Sequence, residues 1–280
     1  MDDLTKRTFV DRIREQVATI DKNDIEYLGI NIYSDGSKKY KIYLYDNKFI
    51  GKKACANLDF ISSLYSDDKI RHSDIRFDNF NNYESVYNFS LDYCSSLEYK
   101  TFIDNLSRLF PSIKNDLFVS FFENIKISDQ DVSSLYYLGI EYANNNWSLT
   151  KIYYRLRDVY YDTNKNKYVY KLDNNKYKTA KNYCNSNFVS NVCDLVDGLI
   201  DNGYSFWMSG IDFSKEKREK VKLYLYKKDS DLRSVYSILS SQFQIDEDIL
   251  SLDSDFRLEI VAVGENSNGS KILQLYYRIR

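Results

Sequence analysis

The sequence has one histidine and one proline among 280 residues, and none of its four cysteines forms a Cys-x-x-Cys pair. Zinc sites take most of their ligands from histidine and cysteine, so an ordinary zinc site is excluded. Cysteines at these spacings predict free thiols in a reducing compartment. We therefore predict no metal-binding residues.

Two further absences narrow the class of protein. The net charge is only −2, which excludes a global positive field of the kind that holds duplex nucleic acid. The chain has no long apolar run, and its first residues are charged, unlike those of a secretory signal. We expect a cytoplasmic, soluble protein with no nucleic-acid or membrane partner, in which any anion site is a local cluster of cations.

Tyrosine, by contrast, is abundant, with 27 residues, and hydrophobic residues make up 43% of the chain. Tyrosine favours strands and suits the wall of a half-wet cavity, because it has an apolar ring and a polar tip. This content and the chain length are sufficient for one domain that spans residues 1–280.

A strand–turn–strand pattern recurs four times along the chain. Most first strands contain a Gly-Ile pair, and each second strand begins with Lys or Gln two residues before a tyrosine. The paired segments are 27–31 with 41–45, 137–141 with 151–155, 208–212 with 222–226, and 262–266 with 274–278. A fifth, less regular pair joins 75–80 to 86–93. Polar turn residues separate the members of each pair, as in β-hairpins.

Helical periodicity fills the intervals between these hairpins. Apolar residues at 3.6-residue spacing predict helices over 4–20, 58–64, 99–109, 188–200 and 232–243, and Gly203 is a stop signal. Five hairpins alternating with helices predict a ten-stranded antiparallel α+β barrel with its helices outside. The stretch 160–181 is either a long loop or an extra hairpin.

Alternate residues of a strand share one face of the sheet. One face of the second strands is therefore polar: Lys41, Tyr43 and Tyr45; Lys151, Tyr153 and Arg155; Lys220, Lys222, Tyr224 and Tyr226; Gln274, Tyr276 and Arg278. The other face is mainly apolar: Ile42 and Leu44; Ile152 and Tyr154; Leu223 and Leu225; Leu275 and Tyr277. We predict that the apolar face packs beneath the helices and the polar face points into the barrel.

The polar face has a specific chemistry. Several cations in a partly dry interior need an anion to offset their charge. Ammonium, guanidinium and phenol groups together suit a diphosphate, and tyrosine faces stabilise a carbocation while excluding water. The pattern therefore predicts ionisation of an allylic diphosphate and capture of the resulting cation.

Two other interpretations remain open at this point. Alternating Lys and Tyr is also typical of a solvated sheet face, which would make the chain an interaction protein with outward-facing strands. A barrel with this interior could also bind a lipophilic anion without catalysing a reaction.

Three short motifs resemble those of the ABBA-type (αββα) aromatic prenyltransferases, whose fold is a ten-stranded barrel ringed by helices. The sequences Lys151-Ile-Tyr153, Lys220-Val-Lys222-Leu-Tyr224 and Gln274-Leu-Tyr276 are similar to the Lys-x-Tyr, cation-x-Lys-x-Tyr and Gln-x-Tyr motifs of the family. Segment 139–145 and the terminal Leu-Tyr-Tyr strand are most similar to cyanobactin-type peptide prenyltransferases.

The resemblance implies an enzyme that moves a dimethylallyl or geranyl group from its diphosphate to an electron-rich acceptor, either a Tyr or Trp of a peptide or a small phenol or indole. The implied diphosphate-binding residues are Lys41, Lys151, Arg155, Lys220, Lys222, Gln274 and Arg278. The implied cation shield is Tyr43, Tyr153, Tyr224 and Tyr276. Mg²⁺, if used, would be bound through the diphosphate.

The family also places an acidic residue on the first hairpin, near the acceptor. Glu26 is the candidate, and its carboxylate would accept the proton of the acceptor or orient a phenol or indole. Glu141 and Asp212 are alternatives, since each follows a Gly-Ile pair on a later first strand. The sequence leaves open which face of the sheet these three side chains share.

Overall fold

The computed structural model describes residues 8–45, 74–78, 85–90, 135–143, 146–155, 157–162, 167–172, 192–213 and 218–280. The helices predicted at 58–64 and 99–109 lie outside these residues. The strands in chain order are β1 (Ile25–Tyr33), β2 (Lys38–Tyr45), β3 (Asp74–Asp78), β4 (Ser85–Ser90), β5 (Leu135–Ala143), β6 (Asn146–Arg155), β7 (Arg157–Asp162), β8 (Lys167–Leu172), β9 (Ser205–Phe213), β10 (Arg218–Ser230), β11 (Phe256–Asn266) and β12 (Lys271–Ile279).

Ten of these strands form one antiparallel sheet, in the order β3-β2-β1-β12-β11-β10-β9-β6-β5-β4. β3 and β4, the strands at the two ends of this order, contact each other. The ten antiparallel strands predicted from the sequence are therefore present. β7 and β8 pair separately, so the open question at 160–181 is answered by an extra hairpin that begins slightly earlier.

The described helices are short. They are α1 (Phe9–Ala18), α2 (Cys193–Asp201), α3 (Tyr236–Ser240) and α4 (Glu247–Leu250), with 3-10 turns at Lys22–Asp24, Arg233–Val235 and Ser251–Ser254. The start of α1 is fixed by a capping box, in which the Thr8 hydroxyl accepts from the Asp11 amide and the Asp11 carboxylate accepts from the Thr8 amide. Within the described ranges, no helix is both long and apolar enough to cross a membrane.

The structure tests the predicted helix stop at Gly203 and the predicted helix over 232–243. The stop at Gly203 is confirmed, because this residue has a φ of +84° just after α2. The single helix predicted over 232–243 is wrong, since a 3-10 turn and the five-residue α3 take its place. The hydroxyls of Ser240 and Ser241 donate to the carbonyls of Ser237 and Ile238 and so compete for helical acceptors. Phe243 is buried although it is not helical, so its apolar side chain made the predicted helix too long.

One face of the sheet packs against the helices. Its core contains Val10, Ile13 and Val17 of α1, Leu195, Val196 and Leu199 of α2, and the strand residues Leu28, Ile30, Ile42, Leu223, Leu225, Leu275 and Tyr277. The prediction that the apolar alternation of the second strands packs beneath helices is confirmed for these strand residues. We call this the helix-covered face and its opposite the tyrosine face.

Each first strand of a repeat carries a β-bulge at an equivalent position. The bulged residues are Glu26 on β1, Tyr136 on β5, Trp207 on β9 and Glu259 on β11. A bulge places two residues opposite one, which breaks the strict alternation of side chains. Past each bulge, the residues that point to a given face therefore change from odd-numbered to even-numbered positions, or the reverse.

The register also corrects the alignment of the fourth repeat. A glycine lies opposite the second-strand lysine in three hairpins: Gly29 opposite Lys41, Gly139 opposite Lys151 and Gly210 opposite Lys222. In the fourth hairpin Ala262, not Gly264, lies opposite Gln274, so the predicted equivalence is wrong by two residues. Gly264 has a separate reason, because a Cβ there would lie 2.2 Å from the carbonyl oxygen of Val221 on β10.

Candidate active site

Four tyrosine rings form a continuous row across the tyrosine face, which we call the tyrosine row: Tyr43 of β2, Tyr276 of β12, Tyr224 of β10 and Tyr153 of β6. Successive ring centroids lie 5.6, 6.0 and 5.8 Å apart. Each pair of strands is separated by another strand, and such strands lie about 9.6 Å apart in a flat sheet. The rings therefore converge, and this face of the sheet is concave.

Glycines on the intervening strands make room for the rings. A Cβ on Gly29 would lie 2.9 Å from Cε2 of Tyr43, and one on Gly210 would lie 2.9 Å from Cε2 of Tyr224 and 3.1 Å from Tyr153. Because of these short distances, a side chain at either position would push the row apart. Both glycines belong to the repeated Gly-Ile pairs. Burial raises the pKa of the Tyr153, Tyr224 and Tyr276 phenols well above their usual value, so these three phenols are uncharged at neutral pH.

The row divides the tyrosine face into two regions. The four second strands run in the same direction, so residues two positions before each tyrosine lie on one side and residues two positions after it lie on the other. The first region, the lysine side, contains Lys41, Lys151, Lys220, Lys222 and Gln274. The second, the arginine side, contains Arg278 and, at the level of backbone register, Arg155.

An ion pair lies at the centre of the lysine side. Nζ of Lys222 donates to the carboxylate of Asp212 at 3.1 and 3.3 Å, and both residues are buried. Asp212 on β9 lies directly opposite Lys220 on one neighbouring strand and Lys151 on the other. Burial opposes ionisation of Asp212, but the charges of Lys222, Lys151 and Lys220 outweigh it and lower the pKa to about 2.

Gln274 joins the lysine side to the tyrosine row. Its amide nitrogen donates to Oδ1 of the buried Asn31 at 2.8 Å. Its Oε1 accepts from the hydroxyls of Tyr276 at 3.2 Å and Tyr224 at 3.4 Å. This network fixes the amide orientation and holds both phenol groups at the border between the row and the lysine side.

A second buried acid organises the arginine side. Oε2 of Glu259 lies 3.2 Å from Nε of Arg278 and accepts from the hydroxyl of Tyr27 at 3.4 Å. Arg278 also donates to the Tyr27 hydroxyl at 2.6 Å, and its guanidinium lies 4.8 Å from the Tyr27 ring centroid. The Tyr27 ring is 6.3 Å from that of Tyr276, so this trio adjoins the tyrosine row.

The bulges settle the orientation that the sequence left open for Glu26. Ile25 and Leu28 belong to the helix-covered face, and the two residues between them lie opposite Tyr43 alone. Glu26 and Tyr27 therefore both lie on the tyrosine face, which carries Tyr43. They are next to the arginine side of that face. Of its two rivals, Asp212 lies on the lysine side, and the side chain of Glu141 lies outside the described residues.

The interpretation of an outward-facing, solvated surface is wrong. The fractional exposures are 4% for Lys222, 8% for Lys151, 2% for Tyr224 and 5% for Gln274. Cations and phenols this deeply buried cannot serve as an exposed docking surface. The structure brings the predicted lysines, Gln274 and the four tyrosines together, but it places Arg278 on the other side of the row.

Both the sequence and the fold can be compared with those of known proteins. No family model and no curated protein matches the sequence. Solved structures do match: a 6-dimethylallyl tryptophan synthase superposes with a TM-score of 0.58 at 9% identity, over 91% of this chain and 82% of that one. Prenyltransferase PriB, in a ternary complex with L-tryptophan and dimethylallyl thiolodiphosphate, gives 0.53 at 9% identity, over 91% and 79%. The chain has the prenyltransferase fold.

A third match is to 5-dimethylallyl tryptophan synthase from Streptomyces coelicolor in complex with DMASPP and Trp, with a TM-score of 0.51 at 9% identity, over 91% of this chain and 78% of that one. Within this prenyltransferase fold the described residues contain no group of three acidic, histidine or cysteine side chains that could hold a metal ion. Asp212, the carboxylate nearest the lysines, already faces three ammonium groups. With these ammonium groups around it, the Asp212 carboxylate does not suit a metal ion.

Sequence reasoning missed three residues that the structure adds to the site. Asn31 lies at the Asn position of the first Gly-Ile segment, and Tyr27 begins that segment, so both were visible in the repeat without a role. Glu259 had no signal of its own. Only the corrected register, in which Ala262 replaces the repeat glycine, shows that it is the structural counterpart of Glu26.

Proposed function

We propose that the protein is an aromatic prenyltransferase of the ABBA type. The observation that supports this most strongly is the tyrosine row, with a cluster of lysines along one side and the Glu259–Arg278 ion pair along the other. A diphosphate needs the first region, an allylic cation needs the row, and an aromatic acceptor needs a region without net charge.

In this proposal the ten-stranded sheet closes into a barrel that forms a single domain over residues 1–280. Contact between β3 and β4, the end strands of the sheet, supports closure, and so does the convergence of the tyrosine rings. Closure would also explain how residues on a face without described helices become buried.

The donor diphosphate would lie on the lysine side, bound by Lys41, Lys151, Lys220, Lys222 and Gln274. The bond between the allylic carbon and the bridging oxygen breaks, and its electron pair leaves with the diphosphate. The allylic cation then lies against the faces of Tyr43, Tyr153, Tyr224 and Tyr276, which attract it and exclude water. If Mg²⁺ takes part, it would be bound through the oxygens of the diphosphate.

The acceptor would approach from the arginine side, where Glu26 and Glu259 lie at equivalent bulges. A ring carbon or phenol oxygen of the acceptor forms the new bond to the cation, and a proton is lost from the acceptor. Glu26 is the proposed base for that proton. Arg278 belongs to this side because Tyr276 lies between it and Gln274, and Arg155 occupies the corresponding register position. The acceptor is a Tyr or Trp of a peptide or a small phenol or indole, encountered in the cytoplasm.

Calorimetric titration with dimethylallyl thiodiphosphate, a donor analogue that ionises poorly, tests the lysine side. We expect the wild type to bind and Lys222→Met to bind about 100-fold more weakly, because truncating one member of a charge pair in a buried site costs several kcal/mol. Lys228→Met, which removes an exposed lysine from the same strand, should bind like the wild type.

Incubation with dimethylallyl diphosphate or geranyl diphosphate and an acceptor panel tests turnover. The panel contains tryptophan, a phenol, an indole and peptides with Tyr or Trp, and prenylated product is detected by mass spectrometry. Absence of binding by the wild type would contradict every function that uses this cavity. Binding without turnover of any acceptor would favour the alternative, a barrel that carries a lipophilic anion.

A further inference from the structure

Asp212 lies inside the site proposed for the diphosphate, although its charge has the same sign. Its carboxylate contacts Lys222 at 3.1 Å, and it lies between Lys220 and Lys151 in the strand register. Both members of the ion pair are largely buried, with side-chain exposures of 5% for Lys222 and 12% for Asp212. Without the diphosphate, this carboxylate offsets the charge of Lys222 and part of the charge around it.

The charges of three lysines act on the single carboxylate of Asp212, so these four groups together carry more positive than negative charge. Two of the lysines, Lys222 and Lys151, are buried. A metal ion would increase this excess of positive charge, whereas a diphosphate would reverse it. Because the three lysines lower the pKa of Asp212 to about 2, the acid stays ionised at every pH at which the protein would work.

We propose that Asp212 is an internal counter-ion that the diphosphate must displace from Lys222, and that it limits how tightly the released diphosphate is held. This inference rests on the proposed function. Its physical basis is that Lys222 forms its shortest charged contact with Asp212, and that a second anion entering the same site is repelled by the carboxylate that remains.

The effect differs between the donor and the product. The donor carries a prenyl group, which gains apolar contact with the tyrosine row and so offsets the repulsion from Asp212. Inorganic diphosphate has no such group and depends on charge alone. Asp212 would therefore repel both ligands, but the product lacks the prenyl contact and would be left with the lower affinity. That lower affinity would speed its release, a step that often limits turnover.

Calorimetric titration with inorganic diphosphate tests the inference on the full-length chain. We expect Asp212→Asn to bind inorganic diphosphate at least about tenfold more tightly than the wild type, because one repulsive charge has been removed from a buried site. The inhibition constant of inorganic diphosphate in the prenylation assay should fall by a similar factor. Asp212→Glu keeps the charge and should stay within about threefold of the wild type.

If Asp212→Asn does not fold, Asp212→Ser provides the same loss of charge with a smaller side chain. Equal or weaker binding of inorganic diphosphate by the neutral variants overturns the inference, since Asp212 would then only orient Lys222. If the wild type binds in a Lys222-dependent way and the neutral variants are no tighter, the proposed function survives and the counter-ion role does not. If neither binds, both are wrong.

Discussion

The lysine side and the arginine side of the tyrosine row both contain a buried acid paired with a cation, yet they are electrostatically different. Asp212 faces three lysines, whereas Glu259 faces one arginine and shares a tyrosine hydroxyl with it. The acid of the lysine side is therefore surrounded by several cations, whereas the acid of the arginine side is paired with one. In the proposed function, this difference gives one concave face an anion site and a site for an uncharged ring.

The tyrosine row is what keeps these two regions apart. Its rings adjoin Gln274 on one side and the Tyr27–Arg278 pair on the other. A cation formed within the row would be between an anion site and a neutral site, which favours departure of the diphosphate in one direction and attack from the other. The comparison between the regions can be tested at the row itself and then on each side.

The largest effect on turnover is expected at the row. Tyr224→Leu removes the ring that contacts both Tyr153 and Tyr276, and a cation–π contact in a dry site contributes about 2 kcal/mol. We expect the rate constant of prenyl transfer to fall about 30-fold or more, as measured in single-turnover assays with saturating donor.

Tyr224→Phe is the matched control for this change. It keeps the ring and loses only the hydroxyl that donates to Gln274 at 3.4 Å, so turnover should stay within about threefold of the wild type. Equal losses in the Leu and Phe variants would show that the hydroxyl, not the ring face, is what matters, and would remove the row from the proposed mechanism.

The sequence predicted the pattern from which this site is built. Alternation placed Lys151, Lys222 and Gln274 on one face together with tyrosines two residues later, because a strand repeats its side-chain direction every two residues. Regular strands of this kind depend mainly on local signals. The apolar alternate residues and the ten antiparallel strands followed from the same property and from the spacing of turn residues.

The sequence could not predict what depends on long-range register. A two-residue period in the sequence does not reveal a bulge. The sequence therefore could not predict that Glu26 and Tyr27 share a face, or that Glu259 belongs to the site. In the fourth repeat the glycine is at 264 and not at 262, and a Cβ at 264 would lie 2.2 Å from the carbonyl oxygen of Val221 on another strand. Asp212 looked like a candidate base until its neighbours on β6 and β10 were known.

Acid stability sharpens the description of the lysine side. The pKa of Asp212 is lowered from 3.8 to about 2 in the folded protein. Its contribution is therefore complete above about pH 4 and is lost as the pH falls toward about 2, which amounts to about 2 kcal/mol of unfolding free energy. Denaturant unfolding at pH 5, 3 and 2 should show this loss in the wild type.

Asp212→Asn isolates that contribution, because the other acids titrate in both proteins and cancel in the difference. The stability gap between wild type and variant should narrow between pH 4 and pH 2. A gap that stays constant over this interval would mean that Asp212 does not gain its low pKa from the lysines, and the contrast between the two sides would lose its electrostatic basis.

The smallest effect is expected on the arginine side, from Glu259→Gln. Glutamine keeps the shape and can still accept from Tyr27, but one negative charge beside Arg278 is removed. The added positive charge beside the row raises the energy of an allylic cation, so the turnover number should fall about tenfold. Because the proposed diphosphate site lies on the opposite side of the row, the dissociation constant of dimethylallyl thiodiphosphate should change by less than about threefold.

Asp255→Asn is the control, since it removes an acid from an exposed ion pair with Arg14 and should leave both quantities within about twofold. The informative quantity is the split between binding and turnover in the Glu259 variant. If donor binding and turnover fall together, charge on the arginine side is felt throughout the cavity, and the two regions act as one site. If only turnover falls, the tyrosine row separates an anion site from a neutral site, as their different ratios of acids to cations predict.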